Sequence, residues 1–344
     1  MNPISPGLSW YEAAIPEQPE YPALDGDSRA DVVVIGGGFT GLSAAAHLAR
    51  AGVDVALIEA HRFGDGASGR NGGQLNTGQR AWPEEMEAEL GFTRAKALFD
   101  LAEEAKAHLL GFTQEHGIDI EYMPGHMSVA HKARYVKDYR AHAEAMAVRY
   151  GYGHIAFMDA RETAERVGST RFFGGVRDTG TGHVNPLKLV IGTARVAAAA
   201  GARLFENTKA TGISSASGKV RVTTPRGAIT ADKALVAVNA YGGDLEPVSA
   251  AHVMPIGSFI GATPPLGADS PVLPGFESVD DSRFVVRYFR RDREGRLLFG
   301  GREIYAPGDP QDINIHIRRQ IAEIYPALKD VEITHAWGGY VGIT

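Results

Sequence analysis

The chain has no cysteine in its 344 residues. That excludes a disulfide framework, a thiolate nucleophile, cysteine-ligated zinc or iron–sulfur centres and a cysteinyl bond to any prosthetic group. Positive charge is also scarce: 35 Lys and Arg against 41 Asp and Glu leave a formal net charge of −6. Such a balance excludes a broad surface for a phosphate backbone, so no nucleic-acid partner is expected. The one dense basic run, Arg287 to Arg296, reads as a solvated hairpin turn. Arg283–Arg290 alternates as a strand, Asp292 and Gly295 punctuate, and Leu297–Phe299 resumes apolar character. No apolar run approaches the roughly 18 residues of a membrane span. Met1 to Gly26 carries Pro and acidic residues and lacks the basic-then-apolar order of a secretory signal. A cytoplasmic location is the resulting expectation. No H-x-x-x-H or carboxylate pairing points to a metal, and His47, His126 and His183 read as structural groups.

What is present is ordinary globular usage, 44% hydrophobic and 22% charged, in a chain long enough for two domains. Residues 1–29 are expected as an irregular arm, broken by Pro3, Pro6, Pro16, Pro19 and Pro22, with order beginning at Ala30. Asp31 to Ile35 is a buried, β-branched strand, Phe39 to Arg50 a small-residue helix with Gly52 as its left-handed C′ residue, and Val53 to Ile58 a second strand. A long helix is predicted over 92–116, with Leu98, Leu101, Ala102, Ala105, Leu109 and Phe112 as its stripe. Another over 132–150 buries Val136, Tyr139, Ala143, Met146 and Tyr150. Asp159 with Glu162, and Asn185 with Pro186, cap two further helices, and Leu235–Asn239 is a buried strand. Phe284 to Phe299 alternates as an antiparallel hairpin. The fold class is therefore α/β with an α+β substrate part: a Rossmann-type layer and a second domain on a mixed, largely antiparallel sheet.

Gly36 to Gly41 fits G-x-G-x-x-G between that strand and that helix. Gly36 permits the tight turn, Gly38 lets backbone reach a pyrophosphate, and Gly41 lets helix pack closely on strand. The N–H groups of the helix start, at Phe39 and Thr40, suit an anion. Glu59 closes the second strand, where a carboxylate can accept hydrogen bonds from ribose hydroxyls and disfavours a 2′-phosphate. This reading specifies a dinucleotide, leaving FAD and NAD both open. The five-glycine stretch Gly64 to Gln74 favours a flavin, because such backbone can run flat against a long cofactor and donate N–H groups to it.

With Gly36–Gly41, Glu59 and Gly66-Ala67-Ser68-Gly69-Arg70-Asn71-Gly72-Gly73 assembled, the chain resembles the D-amino-acid-oxidase-like FAD oxidoreductases, and within them the members acting on gamma-glutamylputrescine. Further likeness lies in Ser9-Trp10-Tyr11, Gly182 to Pro186, Leu298 to Arg302 and Trp337-Gly338-Gly339-Tyr340. The resemblance implies an FAD domain from 30–91, 171–248 and 326–344, and a substrate domain from 92–170 and 249–325. It implies cofactor contacts from Gly36, Gly38, Phe39, Thr40, Gly41, Glu59, Ala60, Arg62, Ser68, Gly69, Arg70, Asn71, Gly72, Gly73, Gln74, Ala210, Asn239 and Ala240. Covalent flavin in relatives uses a cysteine or a histidine after the second strand. This chain has neither in 64–74, so noncovalent FAD is expected.

The flavin-facing wall implied by the resemblance comprises Arg70, Tyr288, Arg302 and Trp337. Relatives that oxidise α-amino acids carry an Arg where this chain has Val341, and that Arg forks onto the substrate carboxylate. Valine tilts the substrate toward an amine without an α-carboxylate, unless Arg302 or Arg287 supplies the fork. The implied reaction is amine oxidation to an imine, hydrolysed to an aldehyde, with O2 reduced to H2O2. The alternatives are a D-amino-acid or glycine oxidase or dehydrogenase that passes electrons to a carrier, and a flavin-binding protein without turnover. The family continues beyond the position of Thr344 with a strand and a glycine-rich helix start over the flavin ring, so a missing C-terminal closure is expected.

Overall fold

The structure, a computed structural model, describes residues 7–304 and 313–344, and of residues 302–304 the backbone alone. In chain order, α1 (Trp10–Ala13) precedes β1 (Ser28–Ile35), α2 (Phe39–Arg50) and β2 (Val55–Ile58). A glycine-rich loop leads to β3 (Gln74–Leu75), α3 (Pro83–Leu90), α4 (Phe92–Glu115) and β4 (Met123–Val129). Then come α5 (Val136–Val148), β5 (Ile155–Met158), α6 (Ala160–Val167), β6 (Gly175–His183) and α7 (Pro186–Ala199). The strands β7 (Arg203–Phe205), β8 (Gly212–Ala216), β9 (Lys219–Thr224) and β10 (Gly227–Val236) precede α8 (Pro247–His252). The chain continues through β11 (Met254–Pro265), β12 (Ser278–Asp281), β13 (Tyr288–Arg291), β14 (Arg296–Ile304), α9 (Ile313–Ile324) and β15 (His335–Ile343).

Two sheets organise these elements. A six-stranded sheet has the order β7-β2-β1-β10-β9-β8, parallel from β7 to β10 and antiparallel thereafter. Its central strands alternate between two apolar layers. Val34, Leu57 and Leu204 face α2 and α7, while Val33, Ile35, Ala56 and Ile58 face Val222, Ile229 and Ala231. That double covering is why β1 and β2 read as continuous apolar runs. The second sheet runs β15-β11-β14-β13-β12-β4-β6-β3, with β5 also on β6. It is antiparallel except where β12 meets β4. One face packs on α9 through Phe289, Leu297, Phe299, Ile317 and Ile321. The other face turns toward the glycine-rich loop. The mixed α/β class is as the sequence implies. Two segments expected in the FAD domain, 171–248 and 326–344, contribute β6 and β15 to this larger sheet.

Several expectations change in detail. The arm is not irregular throughout: Ser9 accepts from the N–H of Glu12 in a complete capping box, and Tyr11 is buried. Pro3 and Pro6 lie outside the described residues. On α4 the buried face is Ala95, Phe99, Lys106, Phe112 and Thr113, while Leu101 is 58% exposed. Lys106 takes an apolar-looking position because its ammonium is held by Glu103 and Thr77 Oγ1, each at 2.8 Å. The strand expected at Leu235–Asn239 is the end of β10, and Asn239 sits beyond it in a left-handed turn at φ 46°. The basic run is not a solvated turn throughout. Arg293 pairs with Asp119 at its tip, yet Arg290 and Arg291 are buried. The Arg291 guanidinium is satisfied by three backbone carbonyls and that of Arg290 by two carbonyls, Tyr11 OH and His183 Nδ1, a role that a point-charge ammonium fills poorly. Caps at Asp159 and Asn185 form as predicted, accepting from Glu162 N and Lys188 N. None of the described helices is long and apolar enough to cross a membrane.

Candidate functional site

At the carboxyl ends of β1 and β2 the chain turns on Gly36 (φ 110°), where a Cβ would lie 2.4 Å from Ala237 O. A Cβ on Gly41 would lie 1.9 Å from Gly36 O, so any side chain there drives α2 off β1. Gly37, to which the glycine motif assigns no role, leaves room for the Phe63 ring, which would stand 2.2 Å from a Cβ at that position. The turn opens into a cavity of about 110 Å³. Gly36, Gly38, Glu59, Ala60, Gly66, Ser68, Ala210 and Asn239 line it, as do Thr208 and Tyr241, which no local motif signals.

Glu59 Oε2 accepts from Gly37 N at 2.7 Å and Oε1 from His61 N at 3.0 Å. Burial pushes its carboxyl above the usual range, and the two backbone N–H groups oppose the shift. A carboxylate has about four lone-pair sites, so capacity remains for the hydroxyls of a ribose. At the start of α2, Phe39 N donates to Ser68 Oγ at 3.0 Å, placing the loop over the helix dipole. Phe39 and Thr40 are exposed beside the cavity. Arg62 is elsewhere: it reaches Gln18 Oε1 and its N–H meets Asp65 Oδ2. Ala240 lines a neighbouring cavity of about 210 Å³.

From Gly69 to Gln74 the loop leaves the cavity for the large sheet. Asn71 ties it internally, donating to Ala67 O and Ser68 O and accepting from Gly73 N. Gln74 donates to Val279 O on β12. Arg290 supports it from behind, with Nε on Gly72 O at 2.6 Å and Nη2 on Tyr11 OH and Val184 O. Tyr11 OH donates to Asn71 O at 3.0 Å. Arg290 Nη1 meets His183 Nδ1, and His183 Nε2 donates to the Phe276 carbonyl, which can only accept. His183 is therefore a neutral acceptor, and burial with the adjacent guanidinium lowers its pKa to about 3. Nothing in the sequence brings Tyr11, Asn71, His183 and Arg290 together.

The expected flavin-facing wall is mostly structural. Arg70 is buried, with Nε on Gly338 O at 2.8 Å, Nη1 on Glu12 Oε2 at 2.8 Å and Nη2 on Gly7 O, so its charge fastens arm, loop and β15. Trp337 is fully buried against Tyr11 and donates to Arg70 O. Tyr288 stands against the loop, its ring wedged where a Cβ on Gly72 or Gly300 would lie at 2.8 or 2.2 Å. The Arg302 side chain lies outside the described residues. Arg287, the alternative carboxylate fork, pairs with Glu323. Val341 is 45% exposed on β15. His126 meets Ser278 Oγ, Ser128 Oγ and Asp280, and His47 meets His108 on the surface.

A dinucleotide cradle under a large mixed sheet defines a flavoprotein oxidoreductase architecture. A family model described as FAD dependent oxidoreductase matches residues 31–344, and the chain belongs to that family, binding FAD as its cofactor. It is 63% identical over 343 residues to the probable oxidoreductase OrdL of Rhizobium meliloti (strain 1021), covering 100% of this chain and 80% of that one. It is 34% identical over 334 residues to the gamma-glutamylputrescine oxidoreductase of Escherichia coli (strain K12), covering 96% and 78%. The glycine oxidase structure from Geobacillus kaustophilus shares the fold, with TM-score 0.75 at 22% identity over 92% of this chain and 84% of that one.

Proposed function

We propose that this FAD-dependent oxidoreductase oxidises a primary or secondary amine lacking an α-carboxylate, of the gamma-glutamylputrescine type. The products are an aldehyde, the released amine or ammonia, and H2O2 from O2. Bound noncovalently in the cradle, FAD supplies the acceptor for the hydride from the carbon beside the amine. The chain's own residues hold and orient. Glu59 receives the ribose, the α2 N-terminus and the loop from Ser68 to Gly73 receive the phosphates and ring, and the large sheet shields the reacting end from water. The assignment gives nucleotide binding to the six-stranded sheet and substrate binding to the nine-stranded one.

The carrying observation is Val341. Where amino-acid-oxidising relatives have a forked cation, β15 offers an apolar side chain; the Arg70 guanidinium is bonded within the protein, and that of Arg287 pairs with Glu323 through Nη2 and keeps a buried Nη1 without a partner among the described residues. The likeness to the gamma-glutamylputrescine oxidoreductase supports the same reading. The test is peroxide and aldehyde release with gamma-glutamylputrescine, putrescine, glycine and D-alanine. Turnover is expected with the first pair. Reduction of the flavin by the α-amino acids alone defeats the argument from Val341, and peroxide-free reduction points to a carrier as acceptor.

A further inference from the structure

A second cavity, of about 420 Å³, lies on the same face of the large sheet as Tyr288. Its size is within the roughly 300–1,000 Å³ of small-molecule sites. Val176, Asp178, His126, Ser128 and Asp280 form its floor, and Phe99, Met146 and Trp82 are among its walls. The pairing register fixes its relation to the cofactor loop. Gly300 pairs with Tyr288, Tyr288 with Asp280, Asp280 with Ser128 and Ser128 with Val176, so these five residues form one cross-strand row on one face. Tyr288, in this row, is the residue wedged against Gly72 of the loop. Just past Gln74 of that loop, Asn76 and Thr77 form part of the cavity rim. Three strand spacings separate Tyr288 from Val176, about 14 Å, the reach of roughly four extended residues.

Two carboxylates, Asp178 and Asp280, stand on the cavity floor, and the basic groups of its lining are Arg80, His126 and His142, the last paired with Glu84. Asp178 is 5% exposed; its Oδ1 accepts from Tyr152 OH and Gly180 N, each at 2.8 Å, and acceptor capacity remains on Oδ2. Asp280, a quarter exposed, has His126 Nε2 at 3.2 Å, which balances it only if protonated. The Lys106 ammonium, bonded to Thr77 of the cavity rim, is held by Glu103 as well. Arg80 is exposed at the edge. Apolar walls with carboxylates on the floor suit a methylene chain that ends in a cation.

We propose that this cavity receives the far, non-reacting end of the substrate, and that this end carries an ammonium group held by Asp280 and Asp178. The proposal rests on the amine-oxidase reading. It makes the substrate a linear molecule with two nitrogen ends: one reacts at the Tyr288 end of the row, and the other is read over β12, β4 and β6. An ammonium on a γ-glutamyl group and one on a free polyamine share this chemistry.

The test compares FAD-loaded wild type with Asp280→Asn and Asp178→Asn on three amines. These are γ-glutamylputrescine, spermidine, and N-glutarylputrescine, which keeps the length and loses the far ammonium. In wild type KM is expected to be about tenfold or more lower for an ammonium-ended amine than for N-glutarylputrescine. Either variant is expected to abolish that difference by raising KM, with kcat within about twofold, as loss of ground-state binding requires. Preference for γ-glutamylputrescine over spermidine, or the reverse, identifies the source of the ammonium. A calorimetric titration with γ-glutamylmethylamide, which has the tail and no oxidisable diamine, tests the cavity without turnover. Binding to wild type that weakens about tenfold in Asp280→Asn supports the site even if none of the amines is oxidised, an outcome that sinks the amine reading alone. Equal KM values for all three tails in wild type, or unchanged titrations in both variants, overturn the proposal.

Discussion

The two ends of the loop from Gly64 to Gln74 work by different means. At its nucleotide end the site is made of backbone: glycines that admit no Cβ, the N-terminus of α2 and one carboxylate at the tip of β2. At its large-sheet end the same loop is held by side chains from far away in sequence, Tyr11, His183 and Arg290, and is flanked by Tyr288. The first end tolerates almost no added atom. The second tolerates no lost partner. The nucleotide end of the loop is thereby set by local geometry, and its large-sheet end by long-range packing.

The sharpest way to break the nucleotide end is Gly41→Val. With a Cβ only 1.9 Å from Gly36 O, the variant is expected to lose FAD altogether, read as the absorbance ratio of flavin to protein after gel filtration. At the other end, Arg290→Met leaves Gly72 O and Val184 O without their donor. An expected loss of about 3 kcal/mol in urea unfolding, with FAD affinity down by about tenfold, matches the cost of opening a buried polar network. A smaller change places the loop's rigidity in Asn71 instead.

The same network predicts a pH dependence. His183 is neutral in the folded state, with its pKa lowered to about 3 against an ordinary value of 6.5. A depressed histidine contributes stability that is full above pH 6.5 and is lost as pH falls from there toward 3. Unfolding free energy measured from pH 7 to pH 4 is expected to fall for the wild type and to fall less steeply for His183→Gln. Equal slopes remove His183 from the account. The smallest effect is expected far from both ends: Leu101→Gln, on the exposed side of α4, should change stability by no more than about 0.5 kcal/mol. A larger loss means that Leu101 is covered by something outside this chain.

This contrast also explains what could be read from the sequence. Gly36, Gly41 and Glu59 are legible because their roles are settled within one strand–turn–helix unit. The α2 helix and its Gly52 stop, and the caps at Asp159 and Asn185, are legible for the same reason. Arg70 and Trp337 sit in recognisable motifs, which points them to a flavin-facing wall, whereas their bonds within the protein fasten the arm, the loop and β15. Their partners, Glu12, Gly338 and Tyr11, lie 58 to 326 positions away or in an arm whose proline content reads as irregular. The buried face of α4 departs from the expected stripe because Lys106 is buried through an ion pair, which hydrophobic periodicity does not register. Asp178, His126 and Asp280 carry no motif at all, and only the pairing of β4, β6 and β12 sets them side by side.

The bond from Arg70 to Gly338 spans 268 positions, and that separation has a consequence in time. At about 5–20 residues per second, synthesis places roughly 13–54 s between the two partners. Once Val236 has been made, for about the last 5–20 s of that interval, the six-stranded sheet has all its strands while the cofactor loop still lacks the carbonyl and the indole that fasten it. A nascent chain thus completes the sheet that carries the dinucleotide cradle before the large-sheet end of its glycine-rich loop can be fastened, so cradle and loop lock are made in that order.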